Sequence, residues 1–340
     1  MAQEREKKSS PATRIVSIGG GAGLSTLLRG LKRRPAGLSA IVAVTDDGGS
    51  SGRLREELGA LPPGDIRNCM MALSEDEGLM ARLFRHRFSS ADTDGGLHDH
   101  SFGNLFLTAM AEVTGGFAKA VHFTSEVLAI KGTIFPSTTS NVSLRAQFDD
   151  GEWVYGETRI TADRRRITRL ELEPPGARSL PEALDAIASA DIITLGPGSL
   201  YTSLIANLLP LEMCSALENS SANKIYIQNI MTQPAETAHM TVADHLDALI
   251  NHCGRTLFHT VLVNNRPPSE NSLRKYEQQN SRAVNLDRDR LLDLDVRVVE
   301  RDLLAEDGAI RHDSDKLAEA VWELSTSGMK AAGAREVGRE

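Results

Sequence analysis

Short apolar runs alternate with longer segments of helical periodicity in the first part of the chain. Residues 14–19, RIVSIG, form an apolar run that ends in glycine, as is typical of a buried parallel strand. Residues 23–34 follow with helical spacing, and residues 38–45, LSAIVAVT, form a second apolar run. This order predicts a right-handed βαβ unit. The predicted fold class is therefore α/β, with a Rossmann-like, doubly wound and mostly parallel sheet.

The pattern changes between about residues 132 and 173. Apolar and polar residues alternate there with a period of two, and turn residues such as DDGE interrupt the alternation, which predicts an antiparallel β insertion beside the sheet. Strands and helices then alternate again as far as an amphipathic helix near the C-terminus. We therefore predict one nucleotide-binding domain over residues 14–327, with disordered tails at residues 1–13 and 328–340.

Three glycine-rich turns each follow a predicted strand. They are GGGAG at residues 19–23, DDGGSSG at residues 46–52, and GPGSLYTS at residues 196–203. The carboxyl ends of parallel strands share one edge of the sheet, and ligands of open α/β proteins bind at that edge. We therefore expect the three turns to converge in one crevice.

The first turn has the composition of an anion site. Its glycines let backbone N–H groups approach a phosphate, and a helix starting at Leu24 or Ser25 would point its positive end there. The spacing is not that of the G-x-G-x-x-G fingerprint, because Leu24 follows Gly21 by three residues, and no Walker lysine follows. NAD nevertheless stays an alternative ligand, because Asp46 ends the second predicted strand, where dinucleotide-binding folds place a ribose-binding acid.

The third turn resembles the first in kind. Gly198 and Ser199 precede a predicted helix, and the hydroxyls of Ser199, Tyr201, Thr202 and Ser203 could donate to phosphate oxygens. A simple N-cap at Ser199 is the alternative. Two anion-binding turns on one edge predict a pyrophosphate, or a phosphate with another oxygen-rich group.

Residues 45–70 combine many charged side chains with five glycines and two adjacent prolines. The charges argue against a core position, and the glycines and prolines argue against a helix. Within this stretch, the paired carboxylates Asp46 and Asp47 are candidates to hold Mg²⁺, to bind ribose hydroxyls or to act as a catalytic base. The alternative is an Asx-type turn that caps the next helix.

Two further segments should bring polar groups to the same edge. PPGDIRN predicts a rigid turn with Asp65 as the N-cap of a helix and with Arg67 and Asn68 in its first turn. The segment MTQPAET follows another predicted strand, and Asn229, just before it, with Thr232 and Gln233 within it, could bind the polar rim of a ligand.

Composition limits the classes of function. The net charge of −8 argues against general binding of nucleic acids or membrane surfaces. No apolar run approaches the roughly 20 residues of a membrane helix, and the polar N-terminus lacks a signal-peptide core, so a soluble cytoplasmic protein is expected. Cys69, Cys214 and Cys253 are far apart and predict neither a disulfide framework nor a metal site.

The motifs together resemble the YvcK-like gluconeogenesis-factor family. They are GGGAGLSTLLRGLK, DDGGSSGRLR, PPGDIRNCMMALS, HSFGNLFLTAM, GPGSLYTSLIANLLP, NIMTQPAET, LVNN and RHDSDKLA. The resemblance implies a Rossmann-like fold and a relationship to 2-phospho-L-lactate transferase. It further implies a cytoplasmic protein that binds a sugar nucleotide of the UDP-N-acetylglucosamine type and is needed for cell shape on gluconeogenic carbon sources. Proteins of cell-envelope synthesis are then the expected partners. Ala22 departs from the threonine that is usual in the first turn, and Asp99 from a common glycine.

The resemblance also assigns roles to residues that spacing alone leaves open. It implies that His100 and Asn104 lie in a helix-start motif of the site, that Tyr276 stacks on a base or sugar, and that Arg311 binds pyrophosphate. It makes Ser314 a candidate phosphorylation site, with helix capping by Asp313 or Ser314 as the alternative. The predicted ligand-binding residues are Gly20, Gly21, Ala22, Gly23, Leu24, Asp46, Asp47, Arg67, Asn68, His100, Asn104, Gly196, Pro197, Gly198, Ser199, Asn229, Thr232, Tyr276 and Arg311.

Three hypotheses for the function remain open. The first is a nucleotide-sugar sensor, favoured because no nucleophile with a general base is evident. The second is a transferase of phosphorus-containing groups that uses Mg²⁺, favoured by Asp46 and Asp47 as catalytic and metal candidates. The third is an NAD-binding protein or oxidoreductase. A homo-oligomer is compatible with all three.

Overall fold

The computed structural model describes residues 13–75, 78–89, 96–307 and 309–336. The tail predicted at residues 1–13 thus lies outside the described residues except for Thr13. The tail predicted from residue 328 differs from the structure, in which the last helix continues to Glu336, while residues 337–340 lie outside the described part.

Strands and helices alternate along the chain as the apolar pattern predicts. The strands are β1 (Thr13–Gly19), β2 (Ala36–Val42), β3 (Thr133–Pro136), β4 (Ser143–Phe148), β5 (Trp153–Tyr155), β6 (Ile167–Glu173), β7 (Ile192–Leu195), β8 (Asn223–Ile227), β9 (Thr260–Asn264), β10 (Arg297–Arg301), β11 (Leu304–Glu306) and β12 (Ile310–His312). The helices are α1 (Gly21–Leu31), α2 (Gly49–Leu58), α3 (Gly64–Leu73), α4 (Leu79–Arg85), α5 (Phe102–Thr114), α6 (Phe117–Val127), α7 (Glu157–Ala162), α8 (Pro181–Ser189), α9 (Ala206–Leu208), α10 (Met213–Asn219), α11 (Val242–Cys253), α12 (Glu270–Glu277), α13 (Arg288–Asp293) and α14 (Ser314–Glu336). A π-helical segment, Leu200–Ile205, leads into α9.

The main sheet has seven parallel strands in the order β10-β9-β8-β7-β1-β2-β3. On one side of β1 lie β2 and then β3, and on its other side lie β7, β8, β9 and β10 in that order. The strand order therefore reverses between β1 and β7, which makes the carboxyl ends of these two strands the topological switch point. The predicted doubly wound α/β fold is confirmed.

Each face of the sheet carries its own apolar core. Alternate residues of β1 divide between the two, with Ile15 in one cluster and Val16 and Ile18 in the other. Helices α1 and α14 cover the Ile15 face, and the face of Val16 packs against α8, α11 and the π-helical segment. Because both faces are covered, the strands are nearly continuous apolar runs.

The β insertion is a three-stranded antiparallel sheet, β5-β4-β6, which spans residues 143–173. The predicted start at residue 132 was wrong, because Thr133–Pro136 is the edge strand of the main sheet and pairs in parallel with β2. Inward side chains of the insertion, including Leu144 and Leu170, belong to one of the two main cores. The insertion is therefore part of the packed domain.

Two other sequence predictions are corrected by the structure. The glycines of residues 45–70 do not prevent a helix, because α2 begins at Gly49 and ends before Gly59, whose φ of 63° closes it. Cys214 and Cys253 form a disulfide, with their Cα atoms 5.8 Å apart, although they lie 39 residues apart in sequence. Cysteine spacing could not predict this disulfide, because only the fold brings α10 and α11 together. Within the described ranges, no helix combines the length and apolar composition that crossing a bilayer requires.

Candidate functional site

A cleft of about 410 Å³ lies at the carboxyl ends of β1, β7 and β8. Its position is the one that the reversal of strand order predicts for a ligand site. Eleven of the predicted residues line this cleft, and they are Gly20, Gly21, Ala22, Gly23, Pro197, Gly198, Ser199, Asn229, Thr232, Tyr276 and Arg311. The first and third glycine turns therefore do converge.

The first turn packs closely against its neighbours. A Cβ atom on Gly23 would lie 2.4 Å from the carbonyl oxygen of Pro197, and a Cβ atom on Gly20 would lie 2.5 Å from the Asp65 carboxylate. Gly21 has a φ of 61°, in the left-handed region that favours glycine. The N-cap of α1 is Gly20, which has no side chain, and the positive end of the helix lies at the cleft.

Asp65 lies at the same helix end. It was predicted as the N-cap of α3, but the N-cap is Pro63, and Asp65 instead accepts a hydrogen bond from the backbone N–H of Gly21. Burial raises the pKa of its carboxyl to about 6, and the negative charge of Asp46 adds to the rise. A buried carboxyl thus stands beside the amides that would receive an anion.

The third turn is satisfied within the protein. The buried carboxylate of Glu236 accepts hydrogen bonds from the backbone N–H of Tyr201 (2.8 Å) and of Thr202 (3.3 Å) and from the Thr202 hydroxyl (2.8 Å). The Tyr201 hydroxyl donates to the carbonyl of Ile167. The predicted second anion site is therefore occupied by Glu236 itself. In the first turn of α1, Asp65 engages only Gly21, and Ala22 and Gly23 line the cleft beside it.

The predicted polar rim is also partly engaged. The Asn229 side chain donates to the carbonyl oxygen of Gly198 (2.7 Å) and accepts from its N–H (3.2 Å), which holds the turn after β7 against the end of β8. The Thr232 hydroxyl accepts a hydrogen bond from the N–H of Arg282. Both residues line the cleft, and both have structural partners.

Tyr276 and Arg311 line the same cleft as the glycine turns. Tyr276 accepts a hydrogen bond from the backbone N–H of Ile310 at 3.0 Å, so its hydroxyl fastens α12 to the β11–β12 hairpin. Its ring packs with Met231 and Leu304 in a small apolar cluster separate from the two main cores. Arg311 is exposed and has an ion pair with Asp307, which is exposed as well.

Asp46 and Asp47 lie in the loop that follows β2 and have different roles. One carboxylate oxygen of Asp46 accepts a hydrogen bond from Gly48 N–H at 2.9 Å, which is the Asx-type turn considered as the alternative. Asp47 accepts from the backbone N–H (2.8 Å) and the hydroxyl (2.6 Å) of Thr158, in the insertion. The second aspartate thus ties the β insertion to the edge of the main sheet.

Replacement of Asp47 by alanine is expected to lower the free energy of unfolding by about 1.5–3 kcal/mol, the usual cost of losing hydrogen bonds to a charged group. Local opening of residues 143–173 should become easier as well, because the anchor of Thr158 is lost. Urea denaturation and limited proteolysis measure the two effects. Asp47→Asn, which keeps an acceptor oxygen, is the matched control and should lose less. Equal losses in the two variants would contradict the proposed anchor.

Glu157 lies next to these aspartates, at the start of α7. Burial raises the pKa of its carboxyl to about 9, and the negative charges of Asp46, Asp65, Glu236 and Asp47 add to the rise. Glu157 is therefore a neutral carboxylic acid at pH 7. Within the described ranges, no three His, Cys, Asp or Glu side chains are arranged to hold a metal ion.

The remaining predicted residues lie outside the cleft. The Leu24 side chain is fully buried in the core, and Gly196 packs against the carbonyl of Ile227. Arg67 donates to the side-chain oxygen of Asn68 at 2.8 Å.

The helix-start residues, by contrast, are buried away from the cleft. His100 bonds Ser50 through Nδ1 (3.0 Å), and Asn104 lies in the first turn of α5. Through Ser50, His100 contacts the second glycine turn, but neither His100 nor Asn104 lines the cleft formed by the first and third turns.

Ser314 stands at the start of α14 and is half-buried. Its hydroxyl donates to the carbonyl of Thr26 in α1 at 2.8 Å, while Asp313 accepts from the N–H groups of Asp315 and Lys316. Asp313 is therefore the cap of α14, and Ser314 joins α14 to α1.

Asp65, Glu157 and Glu236 were not among the predicted site residues. Asp65 carried a signal, since it follows two prolines at a helix start, but that signal favours an N-cap equally. Glu236 stands in MTQPAET, which the sequence placed at the sheet edge, but nothing in that segment marks it as the partner of the third turn. Glu157 stands in a segment of ordinary composition, and only the fold brings it to the sheet edge.

Known proteins resemble this chain in sequence and in fold. The family model of 2-phospho-L-lactate transferase CofD matches residues 15–304. The gluconeogenesis factor of Bacillus subtilis strain 168 is 45% identical over 312 residues, which cover 92% of this chain and 98% of that protein. The gluconeogenesis factor of Halalkalibacterium halodurans is 44% identical over 310 residues, which cover 91% and 95%.

A solved structure agrees with the sequence relatives. The crystal structure of a UPF0052 family member from Bacillus halodurans matches with a TM-score of 0.88 at 42% identity, over 92% of this chain and 99% of that one. The family model covers most of the chain, and the two relatives are matched along nearly their whole length. The protein therefore belongs to the CofD-like family and, within it, to the gluconeogenesis factors.

Proposed function

We propose that the protein binds a sugar nucleotide of the UDP-N-acetylglucosamine type in the cleft at the switch point. In the cytoplasm, it would relay the level of this ligand to proteins of cell-envelope synthesis, and so maintain cell shape during growth on gluconeogenic carbon sources. The observation that carries the proposal is that the first turn of α1, Arg311 and Tyr276 line one cleft.

The diphosphate belongs between α1 and Arg311. The third turn already has the carboxylate of Glu236, and in the first turn of α1 Asp65 accepts from the N–H of Gly21. The N–H groups of Ala22 and Gly23, which have no partner within the helix, are therefore the ones that would receive an anion. Arg311 has an exposed partner in Asp307, and exposed ion pairs contribute only about 0–1 kcal/mol, so the guanidinium can turn to a phosphate at little cost. Two phosphates would then lie between a helix dipole and a cation.

The base or the sugar belongs against Tyr276. The hydroxyl of this residue is engaged with Ile310, which fixes the ring at the wall of the cleft. A fixed aromatic ring offers a flat apolar surface for stacking at low entropic cost. Gln279 and Ser281 line the cleft near it and can bond hydroxyl or amide groups of the ligand.

Arg311→Ala is expected to weaken binding of UDP-N-acetylglucosamine about 10- to 100-fold, the equivalent of one or two charge-assisted hydrogen bonds. Isothermal titration calorimetry measures the dissociation constant. Arg274→Ala, on the exposed side of α12, is the matched control and should leave the affinity unchanged. Tyr276→Ala should weaken binding more than Tyr276→Phe, which keeps the ring. Unchanged affinity in Arg311→Ala would refute the proposed position of the diphosphate.

The second candidate function is transfer of a phosphorus-containing group with Mg²⁺, which the family model implies. One observation favours it: the second carboxylate oxygen of Asp46 lies near Gly64, and Asp65 stands beside Gly20. Mg²⁺ is commonly held by one or two carboxylates together with substrate phosphates, and these two aspartates fit that pattern. The ion would neutralise phosphate charge, and the protein groups would orient it.

The same titrations separate the alternatives. Binding of the UDP-sugar without Mg²⁺ supports the sensor, whereas selective binding of GDP that needs both Mg²⁺ and Asp46 would replace it with the transferase. Tight binding of NAD would favour the third hypothesis, although Asp46, the candidate ribose ligand, lies outside the cleft and bonds Gly48.

A further inference from the structure

The outward face of α6 carries apolar and charged side chains together. Phe123 is 42% exposed and Val127 is 53% exposed, although both are apolar. Lys119 and Glu126 stand on the same face, seven residues and two helical turns apart. Surface apolar residues that cluster on one helix face, among charges, are typical of a protein contact.

A groove of about 570 Å³ runs beside this face, between α6 and the edge strand β3. Its lining combines apolar residues with charged ones, and includes Ile130, Ile134, Phe135, Pro136, Leu180, Lys119, Glu126 and Glu182. Phe123 stands at its border, so the surface presents a protruding aromatic ring next to a depression. A surface that carries both a protrusion and a depression can be complementary to itself.

The edge strand itself is poorly suited to pair with another strand. β3 has four residues and ends in Pro136, which has no N–H to donate. A partner would therefore be held by side chains that enter the groove, and an added β-strand is disfavoured.

The charges determine which partner fits. A second copy of α6, placed antiparallel across a twofold axis near Phe123, puts Lys119 opposite Glu126 of the second copy, and the reverse pair forms by symmetry. Within the described residues Lys119 has no ion pair, and Glu126 has only His122 of its own helix, at 3.5 Å. The pattern is thus complementary to itself.

We propose that the α6 face and the groove beside β3 form a twofold interface between two copies of this chain. Phe123 of each copy enters the groove of the other, and two symmetric Lys119–Glu126 pairs flank the axis. Because the contact is isologous, every substitution acts twice. The interface lies on the strand at the far edge from the cleft-lining β7 and β8, so ligand binding does not depend on it.

Sedimentation velocity over a concentration series tests the proposal with full-length protein. Wild type should approach twice the 36.8 kDa of one chain as the concentration rises. Phe123→Asp should leave a monomer at all concentrations. Lys119→Glu should weaken association about tenfold, because it places two like-charge pairs across the axis. The double variant Lys119→Glu/Glu126→Lys should restore it, because the pairs re-form with their signs exchanged.

Val113→Asp supplies the matched control, since Val113 is 83% exposed on α5 and does not line the groove. Circular dichroism confirms that each variant is folded, which is expected because every changed side chain is exposed. A wild-type protein that stays at one chain mass up to its solubility limit would overturn the proposal. So would a double variant as weak as the single one, or a Val113→Asp variant that dissociates as completely as Phe123→Asp.

Discussion

A Gly30→Ala variant is expected to lose about 3 kcal/mol or more of its free energy of unfolding. The residue lies within α1, where alanine is normally favoured over glycine by about 1 kcal/mol. In this fold, however, the new Cβ atom would lie 2.1 Å from the carbonyl oxygen of Ser314 and 2.6 Å from the Cβ atom of Ala318. The nearest obstacle is backbone, which cannot rotate away, so α14 must move off α1 and lose packed core contacts.

Urea denaturation of both proteins measures this difference, and its sign is decisive because helix propensity predicts the opposite. Gly37→Ala is the control, since a Cβ atom there would meet only the Arg14 side chain, at 3.7 Å. Adding Ala318→Gly to Gly30→Ala should give little rescue, because the clash with Ser314 remains. A Gly30→Ala variant as stable as wild type would show that α1 and α14 are not in close contact.

Glu157→Gln is expected to become progressively more stable than wild type as the pH rises from 5 to 8. The pKa of Glu157 is about 9 in the folded protein, against an ordinary value of 4.5. Between pH 4.5 and pH 9, folding therefore takes up a proton at Glu157. The stability that the neutral acid contributes is fully present below pH 4.5 and is lost as the pH approaches 9. Glutamine cannot titrate, so the variant does not lose this free energy of unfolding as the pH rises. The difference should grow by up to about 1.4 kcal/mol per pH unit, or roughly 2–4 kcal/mol across the range.

Unfolding free energies at pH 5, 6, 7 and 8 give the slope of this difference. Asp65 and Glu236, whose pKa values are also raised, are present in both proteins and largely cancel. The same substitution at the exposed Glu277 tests whether any glutamate-to-glutamine change produces a slope. A flat difference for Glu157→Gln would mean that the carboxyl is solvated and not surrounded by Asp46, Asp65 and Glu236.

The general architecture was predictable because it depends on local patterns. Apolar runs such as residues 14–19 mark buried parallel strands, and glycine turns directly after them identify the edge at which a ligand binds. These patterns correctly predicted that the first and third turns meet in one cleft. They also predicted the antiparallel insertion, although they placed its start too early, since a four-residue edge strand such as Thr133–Pro136 is too short to show a period of its own.

The internal partners of the site were not predictable, because they depend on contacts between distant segments. Glu236 fills the helix end that GPGSLYTS offers, so a motif that looks like an anion site is already neutralised. Asp47 bonds Thr158, which lies 111 residues away. The disulfide of Cys214 with Cys253 has the same origin. Composition shows which groups are present, but only packing decides which of them remain free.

The two ends of the β insertion also bear on how such a chain changes its length. Ser143 and Glu173 are cross-strand neighbours in the antiparallel register, so the segment leaves and rejoins the main fold at nearly one point. Deletion of the whole segment would therefore leave two chain ends close enough to join, but it would also remove Leu144 and Leu170 from the main core. The second glycine turn would lose its partners as well: Asp47 would no longer accept hydrogen bonds from Thr158, and the neutral Glu157 would no longer stand beside Asp46 and Asp47.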